Sequence, residues 1–199
     1  MRYVAAWLIS FALGCASGAS IAPSGTPTPL TVVFQFDNTH SEKAFEEMKR
    51  ELASIFKNAG IQIAWRDRDQ VSSSESFPNL LVVKFHGVCK MDPAADRDED
   101  SGPLAFTHTS DGVVLPFSEV ECDQVRSSLR RAVSRGDRAR SDIVLGRAMA
   151  RVLAHELYHV LARTESHTAN GVAQRAFSGS DLIGDQLELS PDELNSMHR

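Results

Sequence analysis

Two histidines four residues apart stand inside a long segment that the sequence predicts to be one helix. The segment runs from Ser141 to Arg163, and its apolar residues recur at helical spacing, as in a helix that packs on a core. Within it, His155, Glu156 and His159 form the pattern His-Glu-x-x-His. Side chains four apart share one helix face, about 6 Å apart along the axis, so the two imidazoles can converge on one metal ion.

A glutamate next to the first histidine adds a chemical function to this pair. Glu156 directly follows the first histidine, where its carboxylate can hydrogen-bond a metal-bound water and accept its proton. This is the pattern of zinc peptidases, and it predicts a Zn²⁺ cofactor and peptide-bond hydrolysis with Glu156 as the general base. The alternative is a coincidental pair of helix histidines.

A catalytic zinc site needs a third protein ligand and one open position. His167 follows His159 by eight residues. A continuing helix would place it about 12 Å beyond His159 along the axis, too far to bind the same metal ion. The helix must therefore end near Arg163 and the chain turn back. We favour His167, but the sequence leaves carboxylate alternatives open: Glu165, Asp181, Asp185 and Glu188.

His155-Glu156-x-x-His159, a chain reversal and His167-Thr168 resemble the metzincin motif, and especially that of the matrixins. The resemblance covers about residues 30–177. It implies an α+β, zincin-like fold with a mixed sheet, an active-site helix and a small C-terminal subdomain. It also implies an edge strand that pairs with an extended substrate, formed by Leu104, Ala105, Phe106, Thr107 and His108.

Three features depart from the metzincin pattern. The gap between the second and third histidines is two residues longer, the helix-ending glycine is missing around Ala162 and Arg163, and 172–174 (Val-Ala-Gln) stand in place of the Met-turn. These departures favour an alternative function, a catalytically inactive zincin-like module that binds partners at the cell surface. His108 or Tyr158 is a candidate for holding an oxyanion.

The rest of the chain predicts a mixed order of strands and helices. Strands are expected at 30–36, 61–65, 80–85, 104–108 and 113–117, the last two joined as a hairpin through Asp111-Gly112. The capping box 39–42 opens a helix that ends at Gly60, another helix begins near Cys122, and 190–193 opens a terminal helix. Gly146 is expected to be a mild defect, and His40, His86 and His198 to be ordinary surface or core histidines.

Residues 1–20 have the order of a secretory signal: one positive charge, an apolar stretch and small residues. Cys15 offers an alternative, since residues 12–15 resemble a lipoprotein signal. Residues 21–29 read as a linker and 30–199 as the zincin-like domain. We therefore expect an exported protein, periplasmic or extracellular. A third alternative is a cytoplasmic protein with the His-Glu-x-x-His motif that accompanies a DNA-binding regulator. The signal-like residues 1–20 and the lack of a helix-turn-helix pattern disfavour it.

Without Cys15, the chain keeps Cys89 and Cys122, and export favours a disulfide between them. The net charge of −5 and the absence of aromatic residues from the arginine-rich segment 126–140 argue against a nucleic-acid partner. We expect a monomer that acts on a peptide or protein substrate and contacts a membrane only through a lipid anchor at Cys15.

Overall fold

The structure is a computed structural model that describes residues 29–91, 102–130 and 140–198. Its centre is one mixed sheet in the order β2-β1-β3-β5-β4. Four strands run parallel, and β4 at the edge runs antiparallel to β5. The strands are β1 (Leu30–Phe36), β2 (Ile63–Asp67), β3 (Leu80–His86), β4 (Ala105–Ser110) and β5 (Val113–Glu121).

Within the described residues, five α-helices accompany the sheet: α1 (Glu42–Phe56), α2 (Cys122–Arg130), α3 (Ser141–Ala162), α4 (Gly179–Ile183) and α5 (Pro191–Met197). The predicted strands and helices are all present, and they differ mainly in their ends. β2 starts two residues later than predicted, and β5 continues four residues beyond Phe117. The architecture is the α+β arrangement of a mixed sheet, a long helix and short C-terminal helices that the sequence predicts.

Helix α1 begins two residues later than the predicted capping box implies. The N-cap is Ser41, whose hydroxyl accepts a hydrogen bond from the backbone N–H of Ala44, so the prediction of a cap at Thr39 is wrong. Thr39 instead pairs through its backbone carbonyl with the N–H of Cys89. The helical segment ends as predicted at Gly60, which has a positive φ of 67°.

Helices α1 and α3 approach each other closely at Gly146. A Cβ atom on this residue would lie 2.3 Å from the backbone oxygen of Ala44 and 2.7 Å from Cβ of Glu47. Gly146 is therefore the point of close contact between the two helices, a packing role that the prediction of a mild helix defect did not include. Helix propensity alone favours alanine there, but the neighbouring backbone leaves no room for its side chain.

A buried arginine joins the C-terminal residues to both long helices. Arg151 of α3 is 1% exposed, and its guanidinium donates to the carboxylate of Glu51 on α1. The same group donates to the backbone oxygens of Asp181 and Gly184, at 2.6 and 2.7 Å. These hydrogen bonds pair the buried charge and hold α4 against α3, which fixes the small C-terminal subdomain beneath the sheet.

The predicted disulfide is present. Cys89, after β3, and Cys122, at the start of α2, are bonded with their Cα atoms 5.0 Å apart. It connects the end of β3 to the chain that leaves β5. The predicted signal segment 1–20, Cys15, most of the linker and part of the arginine-rich segment lie outside the described residues. Among the described residues, no helix is long and apolar enough to cross a membrane.

The contact at Gly146 predicts the sign of a stability change. Gly146→Ala should lower the free energy of unfolding by about 1–3 kcal/mol, because the new methyl group overlaps Ala44 and Glu47. Urea unfolding followed by circular dichroism measures this. Ala53→Gly at an exposed position of α1 is the control for propensity, with an expected loss of no more than about 1 kcal/mol. Stabilisation by Gly146→Ala would contradict the packing described here.

Candidate metal centre

The end of α3 determines where the chain goes after the paired histidines. Arg163 adopts a left-handed conformation with φ 50° and ψ 45°, although its side chain does not favour it, at a cost of about 1–2 kcal/mol. Its N–H group and that of Thr164 bond to carbonyls of the last helical turn. The helix thus ends at Ala162, and the chain reverses at Arg163 as predicted.

This reversal brings His167 back to the two helix histidines. One ring nitrogen from each of His155, His159 and His167 lies within 4.8 Å of the others. The Nε2 atoms of His155 and His159 are 2.9 Å apart. Two nitrogens bound to a tetrahedral zinc at about 2.05 Å are about 3.3 Å apart, so the arrangement fits such an ion.

Hydrogen bonds fix the orientation of the two helix imidazoles. Nδ1 of His155 lies 2.9 Å from the backbone oxygen of Val172, and Nδ1 of His159 lies 2.7 Å from that of Thr164. Each Nδ1–H therefore donates to a carbonyl, and the lone pair of each Nε2 atom is left free to bind a metal ion. Carbonyl partners of this kind orient metal-binding histidines in known sites.

The electrostatic environment favours neutral imidazoles, the form that binds metal. Burial lowers the pKa of His155 to about 4, against a smaller opposite effect of the Val172 carbonyl. Burial also lowers the pKa of His167, and the neighbouring His159 and Arg175 add to this effect. Near neutral pH both rings are therefore free of a competing proton.

Glu156 lies beside this group and is 6% exposed. Burial raises the pKa of its carboxyl to about 7, although a hydrogen bond from Thr107 opposes the shift. The Thr107 hydroxyl lies 2.7 Å from Oε2 of Glu156 and 2.9 Å from the hydroxyl of Ser118. A carboxyl group with a pKa near neutrality can both accept and release a proton under ordinary conditions.

A cleft of about 480 Å³ opens between β4 and the C-terminal residues. The three histidines and Glu156 lie in its wall together with Leu104, Ala105, Phe106 and Thr107. β4 is the edge strand of the sheet, so the predicted edge strand does face the candidate site. The register between β4 and β5 shifts between Thr107 and Thr109, opposite the segment containing Pro116, which has no N–H to donate.

Two further predicted site residues lie elsewhere. His108 is not in the wall of the cleft, and its Nε2 atom lies 2.7 Å from the Glu119 carboxylate, on the other face of the sheet. Tyr158 is 4% exposed and also outside the cleft wall. The structure therefore gives neither side chain access to an oxyanion, because both point away from the cleft.

The carboxylate alternatives for the third ligand do not join the pair. Glu165 lines the cleft and is exposed, but it is not part of the group of close ligand atoms. Asp181 uses its carboxylate in the capping box of α4, with the hydroxyl and backbone N–H of Ser178 as partners. Asp185 and Glu188 are exposed. Among the described residues, His167 is the one that completes the group.

A residue that sequence analysis missed holds the loop behind the site. Glu193 of α5 is 0% exposed, and its carboxylate accepts hydrogen bonds from the backbone N–H groups of Ala173 and Ser190 at 2.6 and 2.7 Å. It also accepts longer bonds from Val172 N–H and the Thr168 hydroxyl. The sequence indicated Glu193 only as a helix cap, which it also is.

The loop held by Glu193 lies directly behind His155. Val172 and Ala173 are 0% exposed beneath His155, and the Val172 carbonyl accepts the hydrogen bond from its imidazole. Gly171 has a φ of 93°, and a Cβ atom there would lie 2.7 Å from the Glu193 carboxylate. A buried carboxylate from the last helix therefore supports the site from below.

One of three comparisons with known proteins found a similar fold. No protein-family model matches the chain, and no curated protein matches it significantly. The fold is similar to that in the crystal structure of archaemetzincin from Methanopyrus kandleri, with a TM-score of 0.53 and 6% sequence identity. The match covers 88% of this chain and 97% of that chain. The likeness shows the fold, and the predicted zincin-like α+β fold is thereby confirmed.

The position of Glu193 predicts an effect on metal affinity. Glu193→Gln should weaken zinc binding by about 10- to 100-fold, because an amide cannot accept all four hydrogen bonds and the Val172 carbonyl that orients His155 would shift. Competition with a chromophoric chelator measures the affinity. Glu188→Gln, at an exposed position in the same C-terminal segment, is the matched control. Equal zinc affinity in the two variants would contradict the supporting role of Glu193.

Proposed function

We propose that this protein is a zinc-dependent peptidase in which Glu156 acts as the general base. The observation that carries the proposal is the convergence of His155, His159 and His167 beside the buried carboxylate of Glu156. All of these side chains open into a cleft beneath an unpaired sheet edge. The zincin-like fold supports the same function.

The donor set fits zinc. Three neutral imidazoles are typical of catalytic zinc sites, which keep a fourth position for water or substrate. In our proposal His155, His159 and His167 hold the ion, and the carbonyls of Val172 and Thr164 fix two of the rings. When bound, zinc supplies a Lewis acid that lowers the pKa of water toward about 7 and polarises a carbonyl group.

Glu156 moves the proton in this proposal. Its carboxylate accepts a proton from the attacking water and delivers it to the nitrogen of the leaving amine. The pKa of about 7 that burial gives this group suits both steps. The Thr107 hydroxyl, which donates to Oε2, holds the carboxylate in the cleft and leaves Oε1 available for the proton.

The edge strand provides a means of binding a peptide. β4 pairs with β5 on one side only, so backbone N–H and C=O groups on its other side can pair with an extended substrate. Thr107 belongs to this strand and contacts Glu156 directly. A peptide paired with β4 would therefore pass in front of the general base.

We also propose that the protein is exported and acts as a monomer on peptide or protein substrates. The order of residues 1–20 supports export, with Cys15 as an alternative site for a lipid anchor. The disulfide between Cys89 and Cys122 supports an oxidising compartment. The net charge of −5 supports substrates other than nucleic acids.

Peptide cleavage tests the proposed activity. The zinc-loaded protein, incubated with a complex peptide library and examined by mass spectrometry, should cleave a defined subset of sequences. Glu156→Gln should lower the cleavage rate at least about 100-fold and leave zinc content unchanged, because it removes proton transfer but no ligand. Removal of zinc with a chelator should abolish cleavage, and added zinc should restore it.

The control is Glu46→Gln, which changes an exposed glutamate of α1 far from the cleft and should leave the rate unchanged. Cleavage by Glu156→Gln at the rate of the unaltered protein would contradict the role of Glu156. A zinc-loaded protein that cleaves no peptide would contradict the proposed activity and favour the inactive binding module.

A further inference from the structure

A second group of histidine and carboxylate side chains lies on the face of the sheet opposite the cleft. Successive side chains of a strand point to opposite faces. Ser118 of β5 faces α3, where its hydroxyl contacts Thr107. Because side chains alternate along the strand, Glu119 and Glu121 point to the opposite face, and Val120 points to the same face as Ser118. Val120 is accordingly 0% exposed, and the proposed catalytic group uses none of these outward side chains.

Three strands contribute to this group. His86 at the end of β3 stands opposite Glu121 in the parallel register with β5. One ligand atom from each of His86, Glu119 and Glu121 lies within 4.8 Å of the others. Nε2 of His86 contacts one oxygen of Glu119, and Nε2 of His108 on β4 lies 2.7 Å from the other. His86, Glu119 and Glu121 thus form a group of side chains that can bind a metal, and His108 contacts its central carboxylate.

Asp37 fixes the orientation of the central histidine. Its Oδ2 atom lies 2.8 Å from Nδ1 of His86, and its Oδ1 atom accepts a hydrogen bond from the N–H of Gly87 at 2.9 Å. This carboxylate–imidazole pair directs Nε2 of His86 toward Glu119 and Glu121. Histidines that bind metals are commonly oriented by a carboxylate at the other ring nitrogen.

We propose that His86, Glu119 and Glu121 bind a divalent transition-metal ion of the zinc class. One imidazole with two carboxylates is a donor set for such an ion, whereas calcium and magnesium take oxygen ligands almost entirely. Asp37, Glu119 and Glu121 place three carboxylates around the group, against one lysine, Lys84, which is opposite Glu119 in register, and this balance favours a bound cation.

The group is accessible from solvent. The Glu119 side chain is 26% exposed and that of His86 is 23% exposed, so an ion can reach both ligands.

The ion would have a structural role. Its ligands come from the adjacent strands β3 and β5, on the side of the sheet away from the cleft. Glu119 also contacts His108 of β4, so the ion would connect the edge strand to the centre of the sheet through this carboxylate. β4 also carries Thr107, which contacts Glu156. Metal bound on one face would thus stabilise the strand that borders the cleft on the other.

The test separates this site from the proposed catalytic one. The full chain carrying His155→Ala and His159→Ala is dialysed first against zinc and then against buffer. Elemental analysis should then find about one zinc ion per chain. Adding Glu119→Gln should reduce it to near zero. Asp37→Asn in the same double variant should weaken zinc affinity by about 10- to 100-fold, since Asp37 acts only through His86. His198→Ala, at an exposed position outside the group, is the control and should change nothing.

No zinc in the double variant, or equal zinc with and without Glu119→Gln, would overturn the proposal. If the double variant does not fold, the same comparison is made in the otherwise unaltered chain, where Glu119→Gln should remove one zinc per chain. If the histidine substitutions remove the only zinc ion and Glu119→Gln does not change the zinc content, the second site is overturned and the proposed peptidase is not.

Discussion

The candidate site depends on the left-handed conformation of one residue that ends α3. If the helix continued past Ala162, His167 would lie about 12 Å beyond His159 along the axis. Arg163 ends it at a steric cost of about 1–2 kcal/mol, and the hydrogen bonds of Thr164 offset that cost. The Thr164 N–H bonds to the His159 carbonyl, and the Thr164 carbonyl accepts from the His159 imidazole. The same turn therefore reverses the chain and orients the imidazole of His159.

The remaining parts of the fold support this turn from two directions. Below it, the carboxylate of Glu193 takes the hydrogen bonds of the loop whose Val172 carbonyl orients His155. Above it, the Thr107 hydroxyl on the edge strand fixes the carboxylate of Glu156. Gly146 and Arg151 bring α1 and the C-terminal helices against α3. In this chain, the buried carboxylate of Glu193 holds the segment that stands where the metzincin pattern has its Met-turn.

The sequence predicted what depends on local spacing. The course of α3, the pairing of His155 with His159 and the need for a reversal all follow from helix geometry. The disulfide followed from counting cysteines in a chain expected to be exported. What the sequence could not predict depends on contacts between distant residues: the crowding at Gly146, the four hydrogen bonds of Glu193, and the meeting of His86 with Glu119 across two strands. The sequence also could not predict that His108 lies on the face away from the cleft, because the direction of its side chain depends on sheet register.

The central claim is that three histidines bind one zinc ion beside Glu156. A crystal of the zinc-loaded protein, measured on both sides of the zinc absorption edge, locates the metal directly through anomalous differences. The account predicts a strong peak about 2.0–2.1 Å from Nε2 of His155, Nε2 of His159 and a ring nitrogen of His167. A peak coordinated by Glu165 or another carboxylate in place of His167, or no peak at these histidines, would contradict it.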